Sequence, residues 1–499
     1  MSVELTFYGG LGEIGGTKIL LKTDGGSVFL DFGKNFGLEG SFFQEPFNQP
    51  FYIPSLLTTG ALPDIEGLYR MNPGKPVDGV IVSHAHLDHV GHVPLLSPQV
   101  PVYAGEDTKN LILIRSETYD HSWQNDHGQT SWRTFTTGEV VGVEGSDISF
   151  MPVEVDHSVP GSFAFIVEAG GKKIAYTGDL RLHGRRPEMT EHFLNLLRLS
   201  QIDVLLTEGT HVEPGGRDVE AELLAQMEEV HRQKMGEAAP RGIVVPCDTE
   251  DDVEARLTEI CAAAGGLVVV EAAPIDLDRI YSVWRAAQEA HRVLLLPART
   301  AYIIQQAHQR TKISDLPDIR GSGLYLSQLR QRADHRGPND PEDAEELMRG
   351  RRQWQHTLAH DWTDEGGLLF GLPQGREALR EAGDAIVFCT PQAANVLPEI
   401  AYGARPCPVT FVQSRSGPFS PEMAIEHNRL LHWLALFGCQ EYYQVHVSGH
   451  APAGDIRRIV EAATPNTLIP IHTRFPETFG QWHDHVLSGL RLGQVLTVP

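Results

Sequence analysis

Residues 83–92 hold four histidines and one aspartate, and this cluster constrains the fold more than any other stretch of the chain. The segment before it, residues 77–82, is apolar and rich in β-branched side chains, which predicts a buried strand. Imidazole and carboxylate groups are the ligands that zinc and similar metals prefer. Because each buried polar group without a partner costs about 1–3 kcal/mol, the cluster predicts a metal site at a sheet edge rather than a solvated loop.

The length of 499 residues allows two or three domains, and 41% apolar with 21% charged residues is typical of a globular protein. No run of eighteen apolar residues is present, so no transmembrane helix is expected. The first residues lack the basic-then-apolar pattern of a signal peptide. The five cysteines are scattered and form no C-x-x-C pair, which predicts a cytoplasmic protein without disulfides.

The formal net charge of −24 argues against a protein that binds nucleic acid indiscriminately. It does not exclude a nuclease, because metal ions and a few local basic residues can supply the positive field at the site.

Further candidate site residues also follow predicted strands. Residues 27–31 form a predicted strand that ends in Asp31. Residues 148–155 alternate and run into Asp156 and His157, and residues 173–176 lead to Asp179. Since the ends of neighbouring strands can meet at one edge of a sheet, these side chains are expected near the first cluster.

The composition changes near residue 212. Short apolar strands over 242–246, 267–271 and 292–296 alternate with helices over 250–264 and 276–291, which predicts a doubly wound parallel sheet. Residues 310–383 are charged and show no regular pattern, and they are predicted to be an insertion with some helix. Strands at 385–389 and 408–413 and a helix at 421–437 are predicted next.

The C-terminal part carries two more histidine-containing strand ends. Residues 443–451 are predicted to be a strand running into a glycine-containing turn, and residues 468–473 a strand that ends in His472. A helix over 455–463 separates them, and a helix and a strand over 494–498 complete the chain.

The pattern H-x-H-x-D-H, made by His84, His86, Asp88 and His89, resembles the signature of the metallo-β-lactamase superfamily. The resemblance implies that His157 is the next histidine ligand. It implies further that the bridging aspartate and the distant final histidine are Asp179 and His472. Asp31 would then support the ligands from behind, although a turn-forming aspartate is an equally good interpretation.

The segment 446–451, His-Val-Ser-Gly-His-Ala, followed by 469–472, Ile-Pro-Ile-His, resembles the β-CASP branch of that superfamily and in particular ribonuclease J. The resemblance implies an α/β fold, a metallo-β-lactamase αββα sandwich with an inserted α/β β-CASP domain. The implied domains are residues 1–211, an insertion over 212–437, and a return over 438–499.

The resemblance also implies two divalent metal ions and a role for each site residue. Zinc is the expected metal, and manganese is the alternative. The implied metal ligands are His84, His86, Asp88, His89, His157, Asp179 and His472. The implied catalytic residues are Asp88, Asp179, Glu208 and His450. The implied substrate-binding residues are His446, Ser448, Gly449, His450 and Ala451.

The implied activity is hydrolysis of RNA with two metal ions. The expected partner is single-stranded RNA, no membrane partner is expected, and a homodimer is compatible with the resemblance. Two stretches depart from ribonuclease J: residues 390–395 replace its glycine-rich segment, and Arg474 stands where it has a glutamate. No counterpart of that family's C-terminal domain is expected after the core. Exonuclease behaviour therefore stays open. A small-molecule thioesterase or lactonase, a DNA-directed nuclease and a non-catalytic scaffold are the alternatives.

Overall fold

The computed structural model describes residues 2–43, 48–119, 123–216, 219–236, 239–325, 352–364, 368–370, 385–390, 409–417 and 421–498. The chain divides into two compact units, one of Met1–Asp218 with Gly449–Pro499 and one of Val219–Ser448. The departure at 391–395 and most of the predicted insertion at 310–383 lie outside the described residues.

Strands and helices are numbered here in chain order. The strands are β1 (Val3–Gly9), β2 (Lys18–Thr23), β3 (Ser27–Leu30), β4 (Gly79–Ile81), β5 (Pro101–Gly105), β6 (Ser131–Phe135), β7 (Val141–Gly142), β8 (Ser149–Val155), β9 (Ser162–Ala169), β10 (Lys172–Tyr176), β11 (Val204–Thr207), β12 (Arg241–Val244), β13 (Leu267–Glu271), β14 (Val293–Pro297), β15 (Gly323–Tyr325), β16 (Leu368–Phe370), β17 (Ala385–Cys389), β18 (Val409–Gln413), β19 (Glu441–Gln444), β20 (Thr467–Pro470) and β21 (Val495–Thr497). The α-helices are α1 (Phe36–Gly40), α2 (Ile53–Thr58), α3 (Leu87–Val90), α4 (Glu106–Glu117), α5 (Pro187–Leu199), α6 (Val219–Met235), α7 (Glu250–Ala263), α8 (Leu277–Glu289), α9 (Ala298–Arg310), α10 (Gln353–Asp364), α11 (Pro421–Leu436) and α12 (Ala453–Ala463).

The first unit is a sandwich of two mixed sheets. One sheet has the order β21-β1-β2-β3-β4-β5-β6 and the other the order β20-β11-β10-β9-β8-β7. Side chains from both sheets, such as Phe7 of β1 and Phe165 of β9, belong to one buried apolar cluster. Burying these faces against each other is what the alternating pattern of the strands requires.

Helices cover the outer face of the second sheet. Phe193 and Leu197 of α5 and Ile456 and Val460 of α12 are buried with the sheet residue Leu205. Their spacing of four residues places each pair on one helix face. Helix α4 contacts β5 and β6 of the first sheet. The described fold is therefore α/β, with helices outside two sheets, as predicted.

The second unit is built on one parallel sheet with the order β12-β19-β18-β13-β17-β14-β15-β16 in the described residues. Strand β13 is buried at every position, as expected of a strand covered on both faces. Helix α7 begins with a capping box formed by Thr249 and Asp252. The predicted strand-helix alternation is confirmed here.

The structure corrects several predicted elements. Residues 131–135, for which no strand was predicted, form strand β6, which pairs in parallel with β5. The predicted helix after His472 is a 3-10 helix, Pro476–Gln481, because a proline begins it and Gly480 weakens its end. The strand predicted over 443–451 ends at Gln444. Among the helices of the described ranges, none has both the length and the apolar character that a bilayer crossing requires.

Candidate metal centre

Four strands of the second sheet bring the later site residues to one edge. Strands β10, β11 and β20 are parallel, and β8 runs in the same direction because both it and β10 pair antiparallel with β9. His157, Asp179, Glu208 and His472 follow the carboxyl ends of these strands. The first cluster follows β4 of the other sheet, with His89 on the short helix α3. The sandwich therefore assembles residues that lie up to 388 positions apart.

His84, His86, His157 and Asp179 form one group whose ligand atoms lie within 4.8 Å of one another. Nδ1 of His86 is 3.0 Å from Nε2 of His84 and 3.0 Å from Nε2 of His157. Nδ1 of His157 donates to the carbonyl of Gly449 over 2.6 Å, which leaves its Nε2 without the proton. Three ring nitrogens thus converge on one point, which is the donor arrangement of a metal site.

Asp88, His89, Asp179 and His472 form a second group within the same 4.8 Å limit. Nε2 of His472 lies 3.1 Å from Oδ2 of Asp88, and Nε2 of His89 lies 3.0 Å from Oδ2 of Asp179. Asp179 belongs to both groups, as a bridging ligand must. The two groups contain all seven predicted metal ligands and no other residue.

Unsatisfied polar atoms test whether metal ions fit this centre. His89 Nε2 and both carboxylate oxygens of Asp179 are buried and have no hydrogen-bond partner. Buried polar atoms are almost always paired, since each unpaired one costs about 1–3 kcal/mol. Cations bound between these atoms would satisfy them, and the histidine and carboxylate donors suit zinc or manganese. The residues therefore fit two divalent ions.

A third group joins Asp179 and His472 to the predicted catalytic residues Glu208 and His450. Nδ1 of His450 is 3.0 Å from Oε2 of the fully buried Glu208. Oε1 of Glu208 accepts the backbone N–H of Leu180 over 3.0 Å. Glu208 is thus fixed by the backbone and in turn orients His450, whose side chain is 21% exposed and can meet a substrate.

Asp31 lies behind the ligands and is fully buried. One carboxylate oxygen accepts the backbone N–H of Ser83 over 2.7 Å. The other accepts Ser83 Oγ and His89 Nδ1, each over 2.7 Å, and the hydroxyl of Tyr176. The Nδ1–H of His89 is therefore held by Asp31, and Nε2 is the ring nitrogen that faces the centre. This arrangement favours the supporting role for Asp31 over a simple turn.

Burial and charge set the protonation of the ligands. Burial lowers the pKa of His86 to about 4 and lowers the pKa values of His84 and His157 well below their usual range. Burial also lowers the pKa of His89, but Asp179, Asp31 and Asp88 outweigh it and hold that pKa well above the usual range. Three imidazoles of the first group are thus neutral, as metal ligation requires.

For Asp179 and His450, the charges of neighbouring groups outweigh the effect of burial on the pKa. Burial raises the pKa of Asp179, but the neighbouring His472, His89 and His450 hold it well below its usual range. Burial lowers the pKa of His450, but the carboxylates of Glu208 and Asp179 raise it to about 9. Asp179 is therefore ionised, and His450 is a cation at neutral pH.

The backbone around the centre is strained and tightly packed. Asp31 and His472 have positive φ angles of 56° and 49°, a region that side chains other than glycine rarely adopt. A Cβ on Gly33 would lie 1.6 Å from the carbonyl oxygen of Asp88, so only glycine fits beside α3. A strained backbone persists only where several surrounding contacts hold it in place. The hydrogen bonds of Asp31 are contacts of this kind.

The predicted substrate-binding segment divides between the two units. Gly449 and His450 belong to the first unit, and His446 and Ser448 belong to the second. Gly449 gives its carbonyl to His157, as described above. Ala451 is buried, and its backbone N–H donates to the carbonyl of Leu180 over 2.7 Å, so that amide is already used. Substrate contact by this segment stays a prediction.

Sequence reasoning missed two residues of the centre. Thr210 Oγ1 donates to Glu208 Oε2 over 2.9 Å and lies 3.0 Å from Nδ1 of His472, so it joins the second and third groups. Arg115 on α4 is buried and donates to the carbonyl of Ala85 over 2.6 Å. The position of Thr210 two residues after Glu208 was the only signal available, since its partners are distant in sequence.

Comparison with known proteins shows what this part of the chain is similar to. Residues 59–245 match the β-lactamase superfamily domain. Over these residues the chain is similar to that superfamily's domain. Its histidine cluster and Asp179 fall within the matched region, and His472 and His450 lie beyond it.

The chain is also similar to three proteins named for ribonuclease J. An RNase J-like protein of Methanocaldococcus jannaschii is 27% identical over 247 residues, which cover 46% of this chain and 48% of that protein. Ribonuclease J of Helicobacter pylori is 26% identical over 185 residues, covering 36% and 23%. Ribonuclease J of Mycolicibacterium smegmatis is 21% identical over 439 residues, covering 85% and 62%. The chain thus spans about half or less of the first two relatives and resembles ribonuclease J.

A solved structure supports the fold over the whole chain. The crystal structure of a protein of unknown function from Enterococcus faecalis V583 superimposes with a TM-score of 0.68 and 20% identity, covering 100% of both chains. At this identity the likeness concerns the fold alone.

Proposed function

We propose that the protein is a metal-dependent ribonuclease that hydrolyses phosphodiester bonds of single-stranded RNA with two divalent metal ions. The observation that carries the proposal is the pair of ligand groups that share Asp179, with His450 and Glu208 in a third group beside them. The names of the RNase J-like relatives support RNA as the substrate class. Zinc is proposed first and manganese second, because both accept histidine and carboxylate ligands.

Each group would hold one ion. His84, His86 and His157 would hold the first, and Asp88, His89 and His472 would hold the second, with Asp179 between them. When bound, the two ions supply Lewis-acid activation of water and neutralise charge on the phosphate. The chain's own residues fix this set: Asp31 orients His89, the Gly449 carbonyl orients His157, and Thr210 lies against His472.

His450 is proposed to meet the substrate rather than a metal. Its Nδ1 is held by Glu208, and the seven proposed ligands are complete without it. Its other ring nitrogen, Nε2, is then the group that would hold a phosphate oxygen or give a proton to the leaving group. A positioned acid of this kind typically contributes about 10²–10⁴-fold in rate. Glu208 would act through His450, as a positioning residue.

The charge of the chain limits how the RNA is bound. A chain with a net charge of −24 repels a polyanion overall, so binding is expected to depend on the centre and the proposed segment 446–451. The described cysteines are all free, which fits the proposed cytoplasmic location. Single-strand preference and a homodimer remain predictions, tested by duplex competition and by sedimentation equilibrium.

Digestion of defined substrates tests the function. Metal-loaded protein is incubated with 5′-monophosphorylated, 5′-triphosphorylated and circular forms of one RNA sequence, with the matching single-stranded DNA, and with a thioester and a lactone. Cleavage of RNA that is lost in Asp179→Asn supports the proposal, and cleavage of the circle identifies endonuclease activity. Exclusive cleavage of DNA, or of the thioester or lactone, would overturn it. Asp203→Asn is the matched control, because Asp203 bonds the backbone of Lys173 away from the centre.

A further inference from the structure

Arg279 is an arginine on α8 of the second unit whose side chain is fully buried. Its Nε and Nη2 donate to the two carboxylate oxygens of Glu250 over 2.9 and 3.0 Å. Glu250 is fully buried as well, and its Oε1 also accepts Ser282 Oγ over 2.8 Å. Two parallel hydrogen bonds to a carboxylate fix the plane of the guanidinium.

The other edge of the guanidinium faces the end of two strands. Nη1 lies 2.6 Å from the carbonyl of Ser414, 3.0 Å from its hydroxyl and 3.0 Å from Nδ1 of His446. Nη2 donates to the carbonyl of Val447 over 3.1 Å. Ser414 follows β18 and His446 follows β19. Arg279 therefore holds both a side chain and the backbone of residues 446–447, which continue in sequence to Gly449 and His450.

These contacts determine which nitrogen of His446 carries the proton. A guanidinium has only donors, so Nδ1 of His446 must accept. The hydroxyl of Ser414 cannot supply a different arrangement, because its hydrogen is used on the carbonyl of Val445 over 2.6 Å. The ring proton consequently lies on Nε2, which is 3.3 Å from Ser416 Oγ. His446 thus presents a donor on the side away from Arg279.

We propose that Arg279, held in place by Glu250, is a positioning residue that fixes His446 in its Nε2–H tautomer so that His446 donates a hydrogen bond to a phosphate oxygen of the RNA. The inference rests on the proposed function for the substrate contact. It adds to that function the tautomer of His446 and the residue that fixes it, Arg279, which is buried and does not meet the substrate.

A purely structural role is the competing explanation, since any buried arginine pair ties elements together. The second unit offers a matched comparison in Arg292, which donates to the backbone carbonyls of Ala264 and Gly266. Arg292 makes the same type of contact without touching residues 446–448. A lysine at either position keeps the charge but loses the planar fork. Only Arg279→Lys should therefore change His446.

The first measurement is the tautomer of His446 in the full-length, metal-loaded protein without RNA. Histidine ring nitrogens labelled with ¹⁵N are recorded in the wild type and in His446→Gln, and the difference assigns the resonance. We expect a pyrrole-type shift for Nε2 and a pyridine-type shift for Nδ1. In Arg279→Lys both shifts should move toward averaged values, whereas Arg292→Lys should leave them unchanged.

The second measurement is steady-state cleavage of single-stranded RNA by the same proteins. A lost hydrogen bond to a charged phosphate should raise KM about 10- to 100-fold in Arg279→Lys. The value of kcat should change little, because the contact holds substrate and transition state alike. Metal content should stay at the wild-type level, since the contacts of Arg279 described above involve none of the proposed ligands. If Arg279→Lys does not fold, the double variant Arg279→Met with Glu250→Gln replaces it in both measurements. This variant removes both buried charges and leaves neither without its partner.

The outcomes separate this inference from the proposed function. An unchanged tautomer in the folded Arg279 variants overturns the positioning role, whatever the activity. A changed tautomer with an unchanged KM overturns the phosphate contact. An equal rise of KM in Arg292→Lys shows a general structural effect and also overturns it. If the wild type cleaves no RNA, the proposed function fails and the phosphate contact with it, while the tautomer measurement still decides what Arg279 does to His446.

Discussion

Replacing Asp31 with asparagine should weaken one metal site while sparing the other. The carboxylate of Asp31 accepts four hydrogen bonds, from the Ser83 backbone, Ser83 Oγ, His89 Nδ1 and the Tyr176 hydroxyl. An asparagine has one acceptor oxygen, and its amide N–H groups would face groups that also donate. To relieve that conflict His89 must move its proton to Nε2, which is the nitrogen that faces the proposed ion.

The size of the effect follows from the role of the contact. Residues that orient a metal ligand from behind typically contribute about 10- to 100-fold in metal affinity, or about 1.4–2.8 kcal/mol. The alanine variant should be worse, because it leaves several buried donors unpaired at about 1–3 kcal/mol each. Against a total stability of about 5–15 kcal/mol, Asp31→Ala is expected to lower the melting temperature strongly, and Asp31→Asn is the informative variant.

Competition with a chelator measures the two affinities. The apo protein is titrated with Zn²⁺ against a chromophoric chelator, and RNA cleavage is followed over the same metal range. Asp31→Asn should bind one ion with wild-type affinity and the second about 10- to 100-fold more weakly, with activity restored at high metal concentration. Two unchanged affinities in a folded variant would refute the reasoning, as would equal weakening in the control Asp203→Asn.

Four shorter predictions concern other groups. Asp88→Ala should abolish RNA cleavage and leave the circular dichroism spectrum unchanged, because Asp88 serves the metal and not the core; full activity would remove it from the site. His450→Ala should reduce cleavage about 10²–10⁴-fold with metal content unchanged, and a parallel loss of metal would make His450 a ligand. Chelation should abolish cleavage and lower the melting temperature, since ions bound only to the native state stabilise it; an unchanged melting temperature would argue against ions in the centre. Burial, assisted by Arg415 and His231, lowers the pKa of His427 to about 4, so the unfolded chain binds the proton more readily and stability should fall as the pH drops from about 6.5 to 4; His427→Gln should flatten this part of the stability curve measured by urea denaturation.

The seven metal ligands were implied by the resemblance to the metallo-β-lactamase superfamily, and the strand pattern showed that each one follows a strand. The pattern from His84 to His89 is local, and the strand pattern before His157 and Asp179 is regular enough to show where each strand ends. The carboxyl ends of parallel strands lie at one edge of a sheet. Residues that follow these strands in the sequence can therefore form one group of ligands in the structure. The structure brings all seven predicted ligands together.

Contacts between side chains distant in sequence could not be predicted in this way. The bond from Thr210 to Glu208 is local, but its contact with His472 spans 262 residues. Strand β6 was missed because its edge position leaves Arg133 and Thr134 exposed, so its residues show little apolar alternation. The positive φ of His472 likewise has no sequence signal, and the backbone N–H of His472 donates to the carbonyl of Gly10, which is distant in sequence.

The arrangement of protons around the centre links its folding to its chemistry. Asp31 and the Gly449 carbonyl each hold a histidine proton on Nδ1, which turns Nε2 of His89 and of His157 toward the centre. The buried carboxylate of Asp179 lies among these histidines, and neither of its oxygens has a hydrogen-bond partner. The same unpaired atoms bind cations strongly once these are present, and the free energy of binding then adds to the stability of the native state. Residues that orient the ligands therefore set two quantities together, the affinity for metal and the stability gained from it, and variants of Asp31 and Thr210 should change both in the same direction.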